Sequence, residues 1–171
     1  MSTLSTERTM KKLLTICICA ASLSACYFGE HYEELKDTSR YSSIIGHRFQ
    51  FLSEANLMFI NMDNDPLFPK KLNQSKDEVD YITVTVGGGY GGTHVVRRLF
   101  AKPGTEFEVK RAILCKICLP DMLLFEIVFL DPPAEIASLP VVLREQYGDV
   151  NLLLEVDNEA FMNPDFVKQI D

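Results

Sequence analysis

Cysteines are the residues of this chain whose types and spacing could do the most chemistry. Two of the five lie in CKIC (115–118), which has the spacing of a thioredoxin-like redox pair or of half a zinc site. A redox pair needs a helix directly after it, and Leu119-Pro120-Asp121 predicts none. Zinc needs four ligands, but no second cysteine pair completes the set and the three histidines are scattered. We therefore predict neither a redox site nor a zinc site here.

The stretch GGGYGG (87–92) formally satisfies the dinucleotide-binding pattern G-x-G-x-x-G. That pattern requires a helix next, because the pyrophosphate binds at the helix amino terminus. Thr93-His94-Val95-Val96 instead favours a strand, and no Gly-Lys-Ser/Thr follows, so no nucleotide is predicted. We expect a mobile hairpin loop that carries Tyr90 at its tip, and we predict that Tyr90, Arg97 and Arg98 contact a protein partner.

A third motif, NMDNDP (61–66), places oxygen ligands at alternate positions, as an EF-hand calcium loop begins. Pro66 stands where that loop requires glycine, and Leu72 stands where its bidentate Glu should be. The chain also contains neither G-x-S-x-G nor H-E-x-x-H. We therefore predict no catalytic residue, no metal and no cofactor, and expect that the protein is not an enzyme.

The amino-terminal segment has the composition of a targeting signal. Lys11 and Lys12 form a short positive region, and residues 13–23 form an apolar stretch that is too short to span a bilayer. Leu23-Ser24-Ala25-Cys26 ends this stretch and resembles the lipobox of bacterial lipoproteins. Because residues 1–9 lengthen the charged region unusually, we expect translation to start at Met10.

The resemblance implies cleavage between Ala25 and Cys26 and a lipid on Cys26, so that Cys17 and Cys19 leave with the signal. Several acyl chains on one residue bind a bilayer durably. Tyr27 stands where Asp would retain an enterobacterial lipoprotein at the inner membrane, and this difference points to the outer membrane, facing the periplasm.

Export also bears on the remaining cysteine pair. In an oxidising envelope we predict a local disulfide between Cys115 and Cys118, with two free buried thiols as the alternative. The disulfide requires a turn or bulge, because residues i and i+3 of a flat strand point to opposite faces.

The composition indicates one globular domain after the signal. The chain has 171 residues, 47% hydrophobic, with a net charge of −7 and a pI near 5.0. Such an acidic chain would be repelled by nucleic acid, and a basic protein partner would suit it better. We predict a signal peptide over 1–25, a lipidated acidic tether over 26–43, and a β-rich domain over 44–171.

Short apolar or alternating segments predict that this domain is a single small barrel or sandwich of about six or seven strands. One or two short helices are expected, at 163–170, where Asn163-Pro164-Asp165 is a helix-start pattern, and less clearly at 132–147, which Pro140 interrupts. KPGTEFEVKRAI (102–113) resembles, faintly, the strand-turn pattern of SH3-like small barrels in envelope proteins.

These observations predict a membrane-anchored periplasmic lipoprotein that binds another protein, for example as an inhibitor or immunity protein. Two alternatives stay open from the sequence. One is a structural or assembly factor of the outer membrane. The other is a small envelope hydrolase, which would need a deep pocket and a carboxylate with a shifted pKa.

Overall fold

The computed structural model describes residues 32–62, 78–116, 122–132 and 136–170. Within these ranges the chain is mainly β, with thirteen strands and one short 3-10 helix, η1 (Ser39–Tyr41). The strands are β1 (Tyr32–Glu34), β2 (Arg48–Phe51), β3 (Ala55–Ile60), β4 (Tyr81–Val86), β5 (Val95–Ala101), β6 (Glu106–Cys115), β7 (Met122–Phe129), β8 (Val141–Arg144), β9 (Gln146–Tyr147), β10 (Val150–Asn151), β11 (Leu153–Val156), β12 (Glu159–Met162) and β13 (Val167–Gln169).

Nine of the strands form one sheet, in the order β13-β2-β6-β7-β8-β4-β3-β5 with β1 added beside β6. Ten-residue β6 pairs with β7 along one edge, while β2 and β1 pair with the opposite edge at its two ends. β4 and β8 run parallel, and the other pairs in the described ranges are antiparallel. β9 with β10 and β11 with β12 form two separate two-stranded sheets.

The centre of the large sheet is buried on both faces. All six residues of β4 are buried, and its sequence YITVTV is β-branched or aromatic throughout, as suits a strand covered on both sides. Two apolar clusters lie on the two faces. The first contains Phe59, Phe125 and Leu143 among others, and the second contains Met58, Ile60, Leu124 and Val142 among others.

The prediction of a mainly β fold is confirmed, but the predicted number of strands and the predicted closed barrel are wrong. The described strands number thirteen rather than six or seven, and they form open sheets with no closed barrel among them. Several strands have only two to four residues. Segments this short give no run of alternating residues, so the sequence pattern does not show them.

The helix predicted for 163–170 is also wrong. The Asn163 side chain accepts a hydrogen bond from the Asp165 N–H at 3.0 Å, which closes a tight turn of the kind that asparagine favours. β13 then begins at Val167, which is buried and pairs with Phe51 of β2. The residues that resemble a helix cap therefore form a turn that leads into a strand. The ambiguous segment after Pro140 contains β8 and β9 rather than a helix.

The amino-terminal part of the domain differs from the predicted boundary at 44. β1 pairs with β6, and the Tyr41 ring packs edge-to-face on buried Phe125 with 5.7 Å between ring centres. Two parts of the predicted tether, β1 and Tyr41, thus contact the sheet. The signal peptide, Cys26 and residues 27–31 lie outside the described residues.

Candidate functional site

The glycine-rich stretch is a crossover connection and not the hairpin loop that the sequence predicted. β4 and β5 both pair with β3, one on each side of it, so residues 87–94 must pass over β3 to join them. Val86 lies opposite Ala55 at one end of β3, and Val95 lies opposite Ile60 at the other. The connection therefore runs along the whole length of β3, across one face of the sheet.

Close packing against that face explains the glycines. A Cβ atom on Gly89 would lie 3.0 Å from Asn56 Oδ1, and one on Gly87 would lie 2.5 Å from a methyl carbon of Val150. Gly87 also has a φ of +79°, which side chains other than glycine disfavour. The glycines let the backbone approach the sheet, rather than making a mobile tip or a phosphate cradle.

Tyr90 is consequently partly buried, and its ring packs against the second apolar cluster. The centre of the ring lies 5.6 Å from that of His94 and 6.0 Å from that of Tyr147. The guanidinium carbon of Arg144 lies 5.1 Å from the same ring centre, within the range of a cation–π contact. We call Tyr90, His94, Arg98, Arg144 and Tyr147 the Tyr90 cluster.

The structure brings only one of the two predicted arginines to Tyr90. Arg98 donates a hydrogen bond to the Tyr90 carbonyl. The Arg97 side chain lies on the opposite face of the sheet, because successive strand residues point to opposite faces. Its guanidinium carbon lies 4.0 Å from the centre of the Phe59 ring. Of the predicted partner-binding residues, Tyr90 and Arg98 thus share one surface and Arg97 does not.

Arg144 is a member of the Tyr90 cluster that the sequence did not indicate. Its Nε is buried and has no hydrogen-bond partner within the described part of the chain. The residue lies in the segment after Pro140 that gave no clear periodicity, so neither the strand nor the face of Arg144 could be assigned. The signal that the sequence offered was that Arg144 lies three positions before an aromatic residue, Tyr147.

A second surface is a largely apolar cleft between the β11–β12 hairpin and β13, with Ser43, Lys168 and Gln169 as its polar lining residues. Its volume is about 430 Å³, and buried Phe49, Met162 and Val167 contribute to its lining. Leu52 and Phe161 line it as well while remaining 45% and 37% exposed. We call this pocket the β13 cleft.

The exposed apolar surface continues beyond the β13 cleft onto the outer face of the hairpin. Leu154 pairs with Phe161 across the two strands and is 43% exposed, and Val156 on the same face is 57% exposed. The hairpin closes through Asp157 and Asn158, whose φ values of 53° and 69° are those of a two-residue turn with left-handed residues.

Cys115 is buried at the end of β6 and is disulfide-bonded. Cys118 lies outside the described residues, so its pairing with Cys115 stays a prediction.

Among the carboxylates in the described ranges, Glu145 is the one whose pKa is raised. Partial burial raises the pKa of this side chain, while a hydrogen bond from the Leu123 N–H at 3.2 Å and the charge of Arg40 act in the opposite direction. Glu145 does not line the β13 cleft. Within the described ranges, no three His, Cys, Asp or Glu side chains are grouped so that they could hold a metal ion. No helix in those ranges is long and apolar enough to cross a membrane.

Comparison of the chain with known protein families, characterised proteins and solved structures gives no match.

Proposed function

We propose that this chain is a lipid-anchored envelope protein that binds another protein through the β13 cleft, as an inhibitor or immunity protein would. The lipobox supports the anchor, and one structural observation carries the binding function. Exposed Leu52, Leu154 and Phe161 form an apolar surface beside a pocket whose lining is largely apolar. Large contiguous apolar patches on a soluble domain commonly mark interaction sites, and aromatic residues in pockets dominate their binding energy.

The β13 cleft fits this role better than the Tyr90 cluster does. The sequence favoured Tyr90 because an exposed ring on a mobile loop suits recognition. In the structure the Tyr90 ring is covered in part by its neighbours, whereas Phe161 keeps 37% of its surface exposed beside a pocket.

The partner segment that best fits the cleft is an extended strand. β13 ends the described order of the large sheet and pairs there with β2 alone. The Leu52 N–H bonds to the Phe166 carbonyl, and the Ile170 N–H bonds to the Arg48 carbonyl. Because bonding direction alternates along an antiparallel strand, the backbone of Gln169 points away from β2, toward the edge. A partner strand could pair there and place an apolar side chain in the cleft.

Two matched substitutions test this proposal. Phe161→Ala removes an aromatic ring beside the cleft, and Phe100→Ala removes one that is 55% exposed on β5, at the other end of the large sheet. The detergent-solubilised full chain first captures partners from envelope and secreted fractions, and the affinity of each purified partner is then measured with both variants. We expect Phe161→Ala to weaken binding by about tenfold or more and Phe100→Ala to leave it unchanged.

Thermal unfolding of both variants serves as the control for folding, because substitutions of exposed residues change stability little. If every captured partner binds the two variants equally well, the β13 cleft is not the binding surface.

A further inference from the structure

The Tyr90 cluster contains a half-buried arginine, Arg144, that forms no ion pair with any residue in the described ranges. Arg144 stacks on the Tyr90 ring, its Nε is buried, and no hydrogen bond within the described chain satisfies that atom. A guanidinium keeps its charge at every physiological pH and has only donors to offer. A buried donor without an acceptor costs stability. Arg144 as a whole is only half-buried, so a ligand at the surface could accept hydrogen bonds from the terminal nitrogens of the same guanidinium.

Two acidic residues close to Arg144 in the sequence or on the neighbouring strand have other partners. Glu145 follows Arg144 in sequence, but it accepts a hydrogen bond from the Leu123 backbone. Glu126 lies on β7, which pairs with β8, and it forms an ion pair with Arg111. Within the described residues, Arg144 has no carboxylate partner.

A second cation stands on the other side of Tyr90. Arg98 donates to the Tyr90 carbonyl and is exposed, and it too forms no ion pair with a described residue. Two arginines that form no ion pair within the described part of the chain therefore contact one tyrosine, in a chain whose net charge is −7. The ring of Tyr147, 6.0 Å from that of Tyr90, adds an apolar wall with a hydroxyl group.

We propose that Arg144, Arg98, Tyr90 and Tyr147 form a binding site for a carboxylate group, carried by an acidic side chain or by a chain terminus of a peptide. The planar guanidinium of Arg144 matches a carboxylate, which can accept two parallel hydrogen bonds from it. Arg98 gives one of its donors to a backbone carbonyl, and the rest of that guanidinium remains available to a ligand. The proposal rests on a surface other than the β13 cleft.

Peptide titrations of the solubilised full chain test the site by calorimetry at low salt. One probe is a blocked tetraglutamate peptide, and its matched control is the blocked tetraglutamine peptide. A second probe is tetraglycine with a free carboxyl terminus and a blocked amino terminus, and a third is inorganic phosphate. We expect one or both carboxylate probes to bind, and Arg144→Gln to weaken that binding by about tenfold or more.

The charge-matched control is Lys36→Gln, which removes one positive charge from an exposed residue outside the Tyr90 cluster and should leave the binding unchanged. Tetraglutamate binding without tetraglycine binding assigns the site to acidic side chains, and the converse assigns it to chain termini. The proposal is overturned if neither carboxylate probe binds, if tetraglutamine or phosphate binds as well as they do, or if Lys36→Gln weakens binding as much as Arg144→Gln does. Because Phe161→Ala should not affect these titrations, failure of the carboxylate site is distinguishable from failure of the β13 cleft.

Discussion

Tyr32 lies directly opposite Cys115 in the antiparallel pairing of β1 with β6. The first described strand therefore begins six residues after Cys26 in the sequence. Six residues span at most about 20 Å even when fully extended. A lipid on Cys26 would hold the β1 end of the large sheet close to the bilayer, instead of letting the domain move on a long tether.

Substitution of Cys26 tests the lipid anchor directly. Cys26→Ser removes the thiol that the lipobox resemblance assigns to the lipid, so we expect loss of incorporated labelled palmitate and release of the protein from the membrane fraction. Cys19→Ser is the matched control, because that residue lies in the part of the signal expected to be removed. Equal labelling of the two variants would show that Cys26 is not the modified residue.

The close approach of the glycine crossover to the sheet predicts a difference between two glycines. Gly46 and Gly87 have similar φ values of 84° and 79°, but a Cβ on Gly46 meets nothing within 4 Å, whereas one on Gly87 meets Val150. Alanine at either position should cost about 1–2 kcal/mol of unfolding free energy through the backbone alone. Gly87→Ala should lose roughly a further 1–3 kcal/mol through overpacking.

Urea unfolding of Gly46→Ala and Gly87→Ala measures that difference, and Gly46→Ala serves as the control for the backbone contribution. Equal losses of unfolding free energy in the two variants would mean that the crossover does not lie as close to β10 as described.

Burial of Glu145 predicts how stability varies with pH. Because its pKa is higher in the folded chain than the ordinary value of 4.5, the folded state retains the proton over a pH range in which the unfolded state has lost it. The contribution of this group to stability is therefore present below pH 4.5 and is lost as the pH rises through the folded pKa. Glu145→Gln should remove this loss and keep an acceptor for the Leu123 N–H.

We expect the unfolding free energy of Glu145→Gln, relative to that of the unsubstituted chain, to increase between pH 4 and pH 7. Chemical unfolding at a series of pH values measures it. Glu159→Gln, at an exposed position, is the control and should show no such trend. A relative stability of Glu145→Gln that falls over this pH range would contradict the raised pKa.

A strand can be predicted from the sequence when the composition of its own residues is enough to identify it. β4 is β-branched or aromatic throughout and β7 is a nearly continuous apolar run, so both are recognisable without knowledge of their neighbours. β13 is not, because Asn163-Pro164-Asp165 fits a helix start and a tight turn equally well.

The candidate sites depend on strand pairing, which is a property of distant segments. Placing β3 between β4 and β5 converts a predicted hairpin loop into a crossover and partly buries Tyr90. The β13 cleft likewise needs β2, β12 and β13 to meet, and these strands are more than a hundred residues apart at their extremes. Only Tyr90 and Arg98 of the Tyr90 cluster were predicted, since local spacing brings them near each other.

Replacement of Arg144 by an apolar residue of similar length should stabilise the protein while removing the proposed carboxylate site. The buried Nε of Arg144, which has no acceptor in the described part of the chain, contributes a desolvation cost that a hydrophobic side chain does not. The lost contact with the Tyr90 ring offsets part of this gain. We expect Arg144→Met to raise the unfolding free energy by roughly 1 kcal/mol in the absence of ligand. Urea unfolding measures this change, with Arg98→Met, at an exposed arginine, as the control that should gain nothing. A clear loss of stability in Arg144→Met would mean that Arg144 stabilises the fold in the absence of a ligand, which would contradict this prediction.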